Sequence, residues 1–489
     1  MSELEVIIGL EVHAQMNTKT KLFCACDNDA FGKAPNTTVC PVCMGHPGTL
    51  PVPNREAVQK ATKAASALKC SLLKENHLDR KNYFYPDLPM GYQISQYDFP
   101  LAKKGSVSYG EGKVCGITRL HIENDAGKLM HRSTELTAGA GGRSYCDYNR
   151  AGTPLMEIVT EPDLRNGEEA MSFAKELQKI LIAVDASEAD MYKGMMRFDA
   201  SISLRPKGEK KLYPRSEIKN LNSFKALGRA LLFEEARLRE LWGKGEAPVN
   251  EVTVHWDDEK GEGRIMRQKE SAADYRYFPE PDIPPLAFDE KAIADAASSF
   301  GVLPDEKKER YLKAGLLTDQ ATLLAGDPKL SEYFDAISAS IKDEKRAASI
   351  VLSQLMGFLK SAGKSINEAP TIDEVIYLLT KINDGIINAN AGKLVLEKMV
   401  ASGRNADSII QVEGFDQEVP AGELEKIVEH AIKANPEAVK DMIRGKEKAK
   451  AAIVGFVMRE TKGGADPVRV NEVIQILIEE MGGSSVATH

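Results

Sequence analysis

Residues 8–15 read Ile-Gly-Leu-Glu-Val-His-Ala-Gln, and this stretch decides how the first part of the chain folds. Apolar and polar side chains alternate along it, as in a β-strand with one buried face, because neighbouring side chains of a strand point to opposite sides. The two faces consist of Leu10, Val12 and Ala14 on one side and of Glu11, His13 and Gln15 on the other. We therefore predict a sheet whose polar face carries an acid and an imidazole.

Two later segments, residues 119–123 and 197–205, alternate in the same way. Their polar positions are Arg119, His121 and Glu123 in the first, and Arg197, Asp199, Ser201, Ser203 and Arg205 in the second. An antiparallel sheet with one solvated face would give this pattern by itself. Solvated faces favour Lys, Glu and Thr, whereas His, Asp, Glu and Arg can bind Mg²⁺ and hold phosphate oxygens. A metal and nucleotide site on the sheet is therefore the second interpretation.

Four cysteines precede these segments, with the spacing Cys24-x-Cys26 and Cys40-x-x-Cys43. Thiolates at such spacings can surround one zinc ion tetrahedrally, and Pro41 and Gly45 are suitable turn residues. Four unrelated buried thiols are the alternative. A site with four thiolates has no open position, so zinc bound here would stabilise the fold rather than take part in a reaction.

The bulk composition narrows the class of protein. The chain has 489 residues, of which 43 % are hydrophobic, enough for one large core and smaller additional domains. It contains neither a signal-peptide pattern nor an apolar run that could span a membrane, so we expect a cytoplasmic protein with no membrane partner. Its net charge is −8, so a nucleic-acid partner would need a local basic patch.

Helical periodicity begins near residue 290 and continues to the C-terminal region. We predict an α+β fold: a large N-terminal domain, residues 1–292, built on an antiparallel sheet with the zinc knuckle. An all-α helical domain, residues 293–407, and a small helical tail domain, residues 408–489, would follow. The sequence has no P-loop motif, so any use of ATP would belong to a sheet-based class of enzyme.

Nine long motifs, in order, make the chain similar to a known family. They are Ile8-Gly-Leu-Glu-Val-His13, the four cysteines, Arg80-Lys-Asn-Tyr-Phe-Tyr-Pro86, Tyr92-Gln-Ile-Ser-Gln-Tyr97, Gly116-Ile-Thr-Arg-Leu-His-Ile-Glu-Asn-Asp-Ala-Gly-Lys128, Asp147-Tyr-Asn-Arg-Ala-Gly-Thr-Pro-Leu-Met-Glu-Ile-Val159, Arg197-Phe-Asp-Ala-Ser-Ile-Ser-Leu-Arg205, Glu217-Ile-Lys-Asn-Leu-Asn-Ser223 and Asp274-Tyr-Arg-Tyr-Phe-Pro-Glu-Pro-Asp282. The chain resembles, essentially end to end, the B subunit of the tRNA-dependent amidotransferase.

The resemblance implies an ATP-dependent ligase that needs Mg²⁺. ATP would phosphorylate the side-chain carboxylate of Glu or Asp mischarged on tRNA(Gln) or tRNA(Asn), and ammonia would then displace phosphate to form the amide. By position, Glu11, His13 and Glu157 fall where the family binds the metal. Arg197 and Asp199 would lie in the nucleotide and acyl-phosphate pocket. The catalytic candidates are Glu11, His13, Glu123, Asp125, Glu157, Arg197 and Asp199.

The ammonia channel is the part of the family site where this sequence departs. Lys81 falls where the family has a lysine at the channel mouth. The family commonly has two glutamates before Asp-Ala-Gly-Lys, whereas this chain has Glu123 followed by Asn124. An amide can ligate a metal through its oxygen but cannot accept a proton from ammonium. Glu123 or Asp125 would then take that role.

The source of ammonia and the substrate tRNA would be partners of this chain. The sequence shows no serine nucleophile motif for glutamine hydrolysis, and the resemblance implies an amidase-type A subunit and a small C subunit. Residues 444–469 carry seven basic and three acidic residues, which fits contact with a phosphate backbone, although a solvated helix face would look the same. The tRNA-binding candidates are Lys446, Lys448, Lys450, Arg459 and Lys462.

Two other functions remain open at this point. A stand-alone carboxylate–amine ligase acting on a small molecule would use the same chemistry, but would not need the basic tail. A non-catalytic zinc-containing RNA-binding protein would not need paired acids beside an imidazole and would not turn over ATP.

Overall fold

The computed structural model describes residues 3–110, 112–132, 143–269, 274–415, 421–443, 449–461, 465 and 467–483. The chain forms two compact units, residues 1–306 and 307–489. The first unit contains the β-strands, and the second is helical. This confirms a mixed α+β protein with a large N-terminal sheet domain and a helical C-terminal part.

The strands are numbered in chain order. They are β1 (Leu4–Gln15), β2 (Ser71–Leu72), β3 (Glu75–Asn76), β4 (Asp79–Asn82), β5 (Tyr92–Ser95), β6 (Ala102–Ser108), β7 (Val114–Asn124), β8 (Lys128–Arg132), β9 (Arg143–Asp147), β10 (Pro154–Thr160), β11 (Met196–Pro206), β12 (Ser216–Leu221), β13 (Glu251–Asp257), β14 (Glu262–Lys269), β15 (Phe278–Pro279) and β16 (Leu286–Ala287).

A nine-stranded sheet in the order β14-β13-β12-β11-β1-β10-β7-β6-β2 forms the body of the first unit. Among the described residues its pairings are antiparallel except for β12 with β13, which run parallel. Smaller sheets join β15-β4-β5, β16-β3 and β8-β9. The predicted antiparallel sheet is therefore present, with one parallel pair that the sequence did not indicate.

The helices, also in chain order, divide between the two units. They are α1 (Arg55–Ala67), α2 (Gly167–Ala183), α3 (Phe224–Gly243), α4 (Glu290–Ser298), α5 (Pro304–Lys313), α6 (Thr318–Gly326), α7 (Pro328–Ile341), α8 (Glu344–Ala348), α9 (Met356–Ser361), α10 (Ile372–Asn383), α11 (Ala389–Ser402), α12 (Ala406–Glu413), α13 (Ala421–Ala434), α14 (Pro436–Ile443), α15 (Lys450–Glu460) and α16 (Pro467–Gly483). A π-helical segment, Ser349–Leu355, joins α8 to α9.

The apolar face of the large sheet is covered by α1, α2 and α3. Leu10, Val12 and Ala14 of β1 are buried in one hydrophobic core with residues of these helices, as the alternation predicted. Each helix begins at a polar residue whose side chain accepts backbone N–H bonds; the caps are Asn54, Asn166 and Ser223. With the helices on one side, the polar side chains of the central strands lie together on the other.

Among its described residues, the second unit has two hydrophobic cores, one between residues 311 and 415 and one between residues 424 and 474. None of the described helices is long and apolar enough to cross a membrane. The division of the chain at residues 292 and 407 stays a prediction.

Candidate active site

Four side chains on neighbouring strands form a line across the polar face of the sheet. His13 on β1 is paired with Glu157 on β10 and, on its other side, with Arg197 on β11. Glu157 is in turn paired with His121 on β7. Residues directly opposite in antiparallel strands share a face, so the pairing register brings together groups that are far apart in the sequence.

Carboxylates surround the two imidazoles of this line. The Nε2 atom of His13 lies 3.5 Å from Glu11 Oε1, 3.5 Å from Glu157 Oε2 and 3.8 Å from Glu123 Oε1. The Nε2 atom of His121 lies 3.2 Å from Glu157 Oε2 and 3.7 Å from Glu123 Oε2. All these residues except Glu11 are buried. We call Glu11, His13, His121, Glu123 and Glu157 the acid–imidazole cluster.

The acid–imidazole cluster contains two groups of side chains that could hold a metal ion. Glu11, His13 and Glu157 form one, and His121, Glu123 and Glu157 form the other; in each, the candidate ligand atoms lie within 4.8 Å of one another. The first group is the set predicted to bind Mg²⁺. Carboxylate oxygens suit that ion, so the donors fit a divalent cation.

The electrostatics of the acid–imidazole cluster agree with this fit. Burial and the neighbouring Glu157 charge raise the pKa of Glu11 above its ordinary value. Burial by itself would raise the pKa of Glu157 too, but His121 and His13 bring it well below its ordinary value. Burial opposes a charge on His121, yet Glu157 and Glu123 raise its pKa to about 9. A cation placed among three close carboxylates would relieve their repulsion.

Asp125, just after β7, contacts arginines instead. Its carboxylate accepts hydrogen bonds from Arg197 Nη2 at 3.2 Å and Nη1 at 3.3 Å, and Arg150 Nε lies 3.4 Å away. Burial opposes the negative charge of Asp125, but Arg150 and Arg197 lower its pKa below the ordinary value. A carboxylate occupied in this way orients the two guanidinium groups.

A cavity of about 920 Å³ lies beside these arginines. Asp125, Arg150 and Arg197 are among its lining residues, with Lys128 and Asn222. Cavities of this size hold small molecules and cofactors. Arg150 and His121 were not among the catalytic candidates predicted from the sequence, although both lie inside the quoted motifs.

Asp199 and Lys81 are near the acid–imidazole cluster but have other direct contacts. Asp199 is paired with Glu11 across β1 and β11, and it accepts hydrogen bonds from Lys219 Nζ at 3.2 Å and from the Asn220 backbone at 2.8 Å. Lys81 Nζ lies 5.1 Å from the centre of the Tyr275 ring. Burial disfavours its charge, but Glu123 raises its pKa above the ordinary value.

Asn124 lies on the other side of β7 from the acid–imidazole cluster, because consecutive strand residues alternate. Its side-chain oxygen accepts a hydrogen bond of 2.8 Å from the Ile94 backbone, and its backbone oxygen accepts one of 2.9 Å from Gln93 Nε2. The residue that differs from the family pattern therefore joins β5 to β7, and Glu123 is the neighbour that faces the imidazoles.

The four knuckle cysteines converge as predicted. The sulfur atoms of Cys24, Cys26, Cys40 and Cys43 lie within 4.8 Å of one another, which fits a single zinc ion with four thiolates. Lys21 is fully buried beside them: its Nζ donates to the backbone oxygen of Thr38 at 2.7 Å and lies 3.8 Å from Cys43 Sγ. The contact with Cys24 and the charge of Lys21 help to lower the pKa of Cys43 to about 5.

Two of the tRNA-binding candidates lie on α15, at Lys450 and Arg459. They are nine residues apart, which at 3.6 residues a turn puts them on opposite sides of the helix. Lys446, Lys448 and Lys462 lie outside the described residues. A basic patch shared by all five stays a prediction.

Fold and site together define a class: an α+β protein with an acid–imidazole cluster beside an arginine-lined cavity, and a separate four-cysteine knuckle. Comparison with known proteins identifies one family. Residues 6–294 match the family described as "GatB/GatE catalytic domain", and residues 332–478 match "GatB domain". The chain therefore belongs to the GatB/GatE family, as its motifs indicated.

Known relatives match nearly the whole chain. The B subunit of the aspartyl/glutamyl-tRNA(Asn/Gln) amidotransferase from Carboxydothermus hydrogenoformans is 43 % identical over 480 residues, covering 97 % of this chain and 99 % of the relative. The B subunit from Moorella thermoacetica is 43 % identical over 479 residues, with the same coverage. The one from Leptospira biflexa is 42 % identical over 488 residues, covering 98 % of this chain and 99 % of the relative.

Proposed function

We propose that this chain is the component of a tRNA-dependent amidotransferase that activates and amidates the amino acid on a mischarged tRNA. It uses ATP to phosphorylate the side-chain carboxylate of Glu on tRNA(Gln), or of Asp on tRNA(Asn). The complex as a whole is a glutamine-dependent ligase. The observation that carries the proposal is the line Arg197–His13–Glu157–His121, which brings acids, imidazoles and guanidinium groups together on one sheet face.

The reaction has two steps. In the first, a carboxylate oxygen of the tRNA-bound amino acid attacks the γ-phosphorus of ATP, the bond to the β-phosphate oxygen breaks, and ADP leaves. In the second, ammonia attacks the acyl carbon and phosphate leaves, so that the amide forms and one proton is released. The first step makes the second possible, because phosphate is a far better leaving group than oxide.

The residues of this chain divide the work between them. Arg197 and Arg150, held by Asp125, supply the cationic donors that phosphate oxygens need. Glu11, His13 and Glu157, with Glu123 beside them, would hold Mg²⁺. When bound, that ion neutralises part of the triphosphate charge. Asp199 holds Lys219 and the β12 backbone next to Glu11.

Ammonia requires an acceptor for its proton and a route into the site. Lys81 lies where its charge acts on Glu123 and Glu157, which supports its assignment to the ammonia channel. Glu123 is the carboxylate beside Asn124 that faces the imidazoles, and we assign the proton-accepting role to it. Asn124 contributes to the channel by fixing β5 against β7.

Partners complete the enzyme. The relatives are named as B subunits, so we propose that an amidase-type A subunit supplies ammonia from glutamine and that a small C subunit joins it. Residues 1–292 are the catalytic domain with its zinc knuckle, residues 293–407 a helical domain, and residues 408–489 a tail domain that binds tRNA. Membership in this family does not favour the two alternative functions, a stand-alone ligase and a non-catalytic RNA-binding protein.

The deciding experiment measures ATP hydrolysis by the assembled complex, with and without Glu-tRNA(Gln), in the absence of an amide donor. We expect turnover that depends on the charged tRNA and disappears in Glu11→Ala. Asp-tRNA(Asn) is the second substrate to try. If neither charged tRNA stimulates ATP hydrolysis, the proposal is contradicted. A Glu11→Ala complex that hydrolyses ATP at the original rate would also contradict it.

A further inference from the structure

Two exposed aromatic rings line the arginine-lined cavity. Phe31 is 51 % exposed and Tyr192 is 91 % exposed, and both are lining residues of the cavity. Their ring centres are 6.3 Å apart and the rings are tilted by 56°, so neither ring covers the other. Two exposed rings side by side at a cavity offer an apolar surface to a ligand bound there.

The backbone around each ring is ordered by local hydrogen bonds. The Phe31 backbone N–H donates to Asp29 Oδ1 at 3.1 Å. The Tyr192 backbone N–H donates to Asp190 Oδ1 at 2.8 Å. Lys193 Nζ lies 6.0 Å from the centre of the Phe31 ring and 3.2 Å from Glu188 Oε2. Each ring is thus carried by a loop that contains a local hydrogen bond from the ring residue's backbone to an aspartate.

Other lining residues of the same cavity are charged rather than apolar. Asp125 is only 2 % exposed, and it holds Arg150 and Arg197 there. A ligand that uses both regions has an anionic group for the guanidinium ends and a flat apolar face for the rings. A nucleotide has both parts, and base–aromatic stacking is a common way of holding one.

We propose that Phe31 and Tyr192 form a stacking platform for the adenine base of an adenosine nucleotide. This rests on the proposed function, which supplies two such nucleotides: ATP and the 3′-terminal adenosine of the charged tRNA. The platform adds a base-binding site to the phosphate-binding arginines, and it makes Phe31 and Tyr192 determinants of nucleotide affinity.

The test measures binding of three probes to the full-length chain in the presence of Mg²⁺. The probes are ATP, inorganic tripolyphosphate, which has no base, and the oligonucleotide CCA. We expect Tyr192→Ala to weaken binding of ATP, of CCA or of both about tenfold, and to leave tripolyphosphate unchanged. Tyr192→Phe keeps the ring and should bind as the unchanged chain does.

The pattern of losses identifies the source of the adenosine. If only the affinity for ATP falls, the platform binds the adenine of ATP. If only the affinity for CCA falls, the platform binds the 3′-terminal adenosine of the tRNA. Phe84→Ala is the matched control, because Phe84 is also 91 % exposed but does not line this cavity. Unchanged binding of both ATP and CCA to Tyr192→Ala and to Phe31→Ala would overturn the platform, and so would an equal loss for tripolyphosphate.

Failure of the platform can be told apart from failure of the proposed function. Arg197→Gln should weaken the binding of both ATP and tripolyphosphate. If it weakens neither, the phosphate site is wrong, whatever the aromatic variants show. If it weakens both while Tyr192→Ala changes nothing, the phosphate site stands and the stacking platform does not.

Discussion

Glu157 lies in both groups of candidate metal ligands, so more of the site depends on it than on any other single carboxylate of the acid–imidazole cluster. Its oxygen Oε2 is 3.5 Å from His13 Nε2 and 3.2 Å from His121 Nε2. It is the single charged residue of the otherwise largely apolar strand β10. Its importance comes from the strands on either side.

Replacement of this carboxylate by its amide tests that importance. Glu157→Gln keeps the size of the side chain but removes the charge that a divalent cation needs, so we expect tRNA-dependent ATP turnover to fall at least about a hundredfold. Kinetics over a range of Mg²⁺ concentrations would measure it. Glu168→Gln, an exposed position on α2, is the control and should keep its activity. A Glu157→Gln enzyme with normal Mg²⁺ dependence would show that this group does not bind the metal.

We expect Asp125 to position an arginine side chain rather than to contact ATP or Mg²⁺ itself. Asp125→Asn removes the charge that holds Arg197, so this guanidinium group loses its fixed orientation. Arg150 keeps its hydrogen bonds to the backbone oxygens of Ala126 and Gly127. We expect the KM for ATP to rise about tenfold or more, while the Mg²⁺ dependence stays the same because Asp125 is not a member of either candidate metal-ligand group. Steady-state kinetics with ATP and Mg²⁺ varied separately would measure both effects. A change in Mg²⁺ dependence alone would instead make Asp125 a metal ligand.

At the scale of elements, the cysteine knuckle and the sheet do different work. The knuckle brings together four sulfur atoms that neither of its two turns could collect alone. Lys21 lies fully buried against Cys43, where a positive charge offsets the negative charge of a four-thiolate zinc site. We therefore expect the knuckle to stabilise the first unit, whereas the acid–imidazole cluster lies on the strands.

Loss of one knuckle thiol should lower the thermal stability of the chain and affect the catalysed reaction less. Cys40→Ser is expected to reduce the zinc content and the melting temperature of the chain, because metal binding and folding are coupled at such sites. Elemental analysis and thermal denaturation would measure the two effects. Cys146→Ser is the matched control, since Cys146 is also a half-buried thiol but lies outside the four-sulfur group. A Cys40→Ser chain with full zinc and an unchanged melting temperature would contradict the assignment.

At the scale of the whole molecule, the chain separates a sheet-based unit from a helical one. The proposed division of labour gives chemistry to the first and tRNA contact to the end of the second. On α15, Lys450 and Arg459 point to opposite sides, so a phosphate backbone running along one side would contact only one of them. Their contributions can be measured separately.

Charge reversal at these two positions tests tRNA contact. We expect Arg459→Glu or Lys450→Glu to raise the KM for charged tRNA severalfold, with more effect at low salt, and to leave ATP affinity unchanged. Lys313→Glu on α5 is the control for a general effect of charge. If neither reversal changes the KM for tRNA, α15 does not contact the tRNA, and the basic residues outside the described segments become the remaining candidates.

Much of this architecture could be predicted from local patterns. Alternation in β1 identified the buried face of Leu10, Val12 and Ala14, and the spacing of the four cysteines predicted that they converge. Pro436 and Pro467 each begin a helix, as proline does when its missing N–H is not needed. These features depend on a few neighbouring residues, so the sequence alone was enough.

What only the tertiary structure decided is which polar residues meet. Alternation tells which face of a strand a residue occupies, but not which strand lies beside it. The register of β1 between β10 and β11 therefore had to be seen before Glu157, His13 and Arg197 formed one line. The same holds for Arg150 against Asp125 and for Phe31 against Tyr192. Such contacts depend on long-range strand pairing and loop packing, which the burial of the whole core determines together.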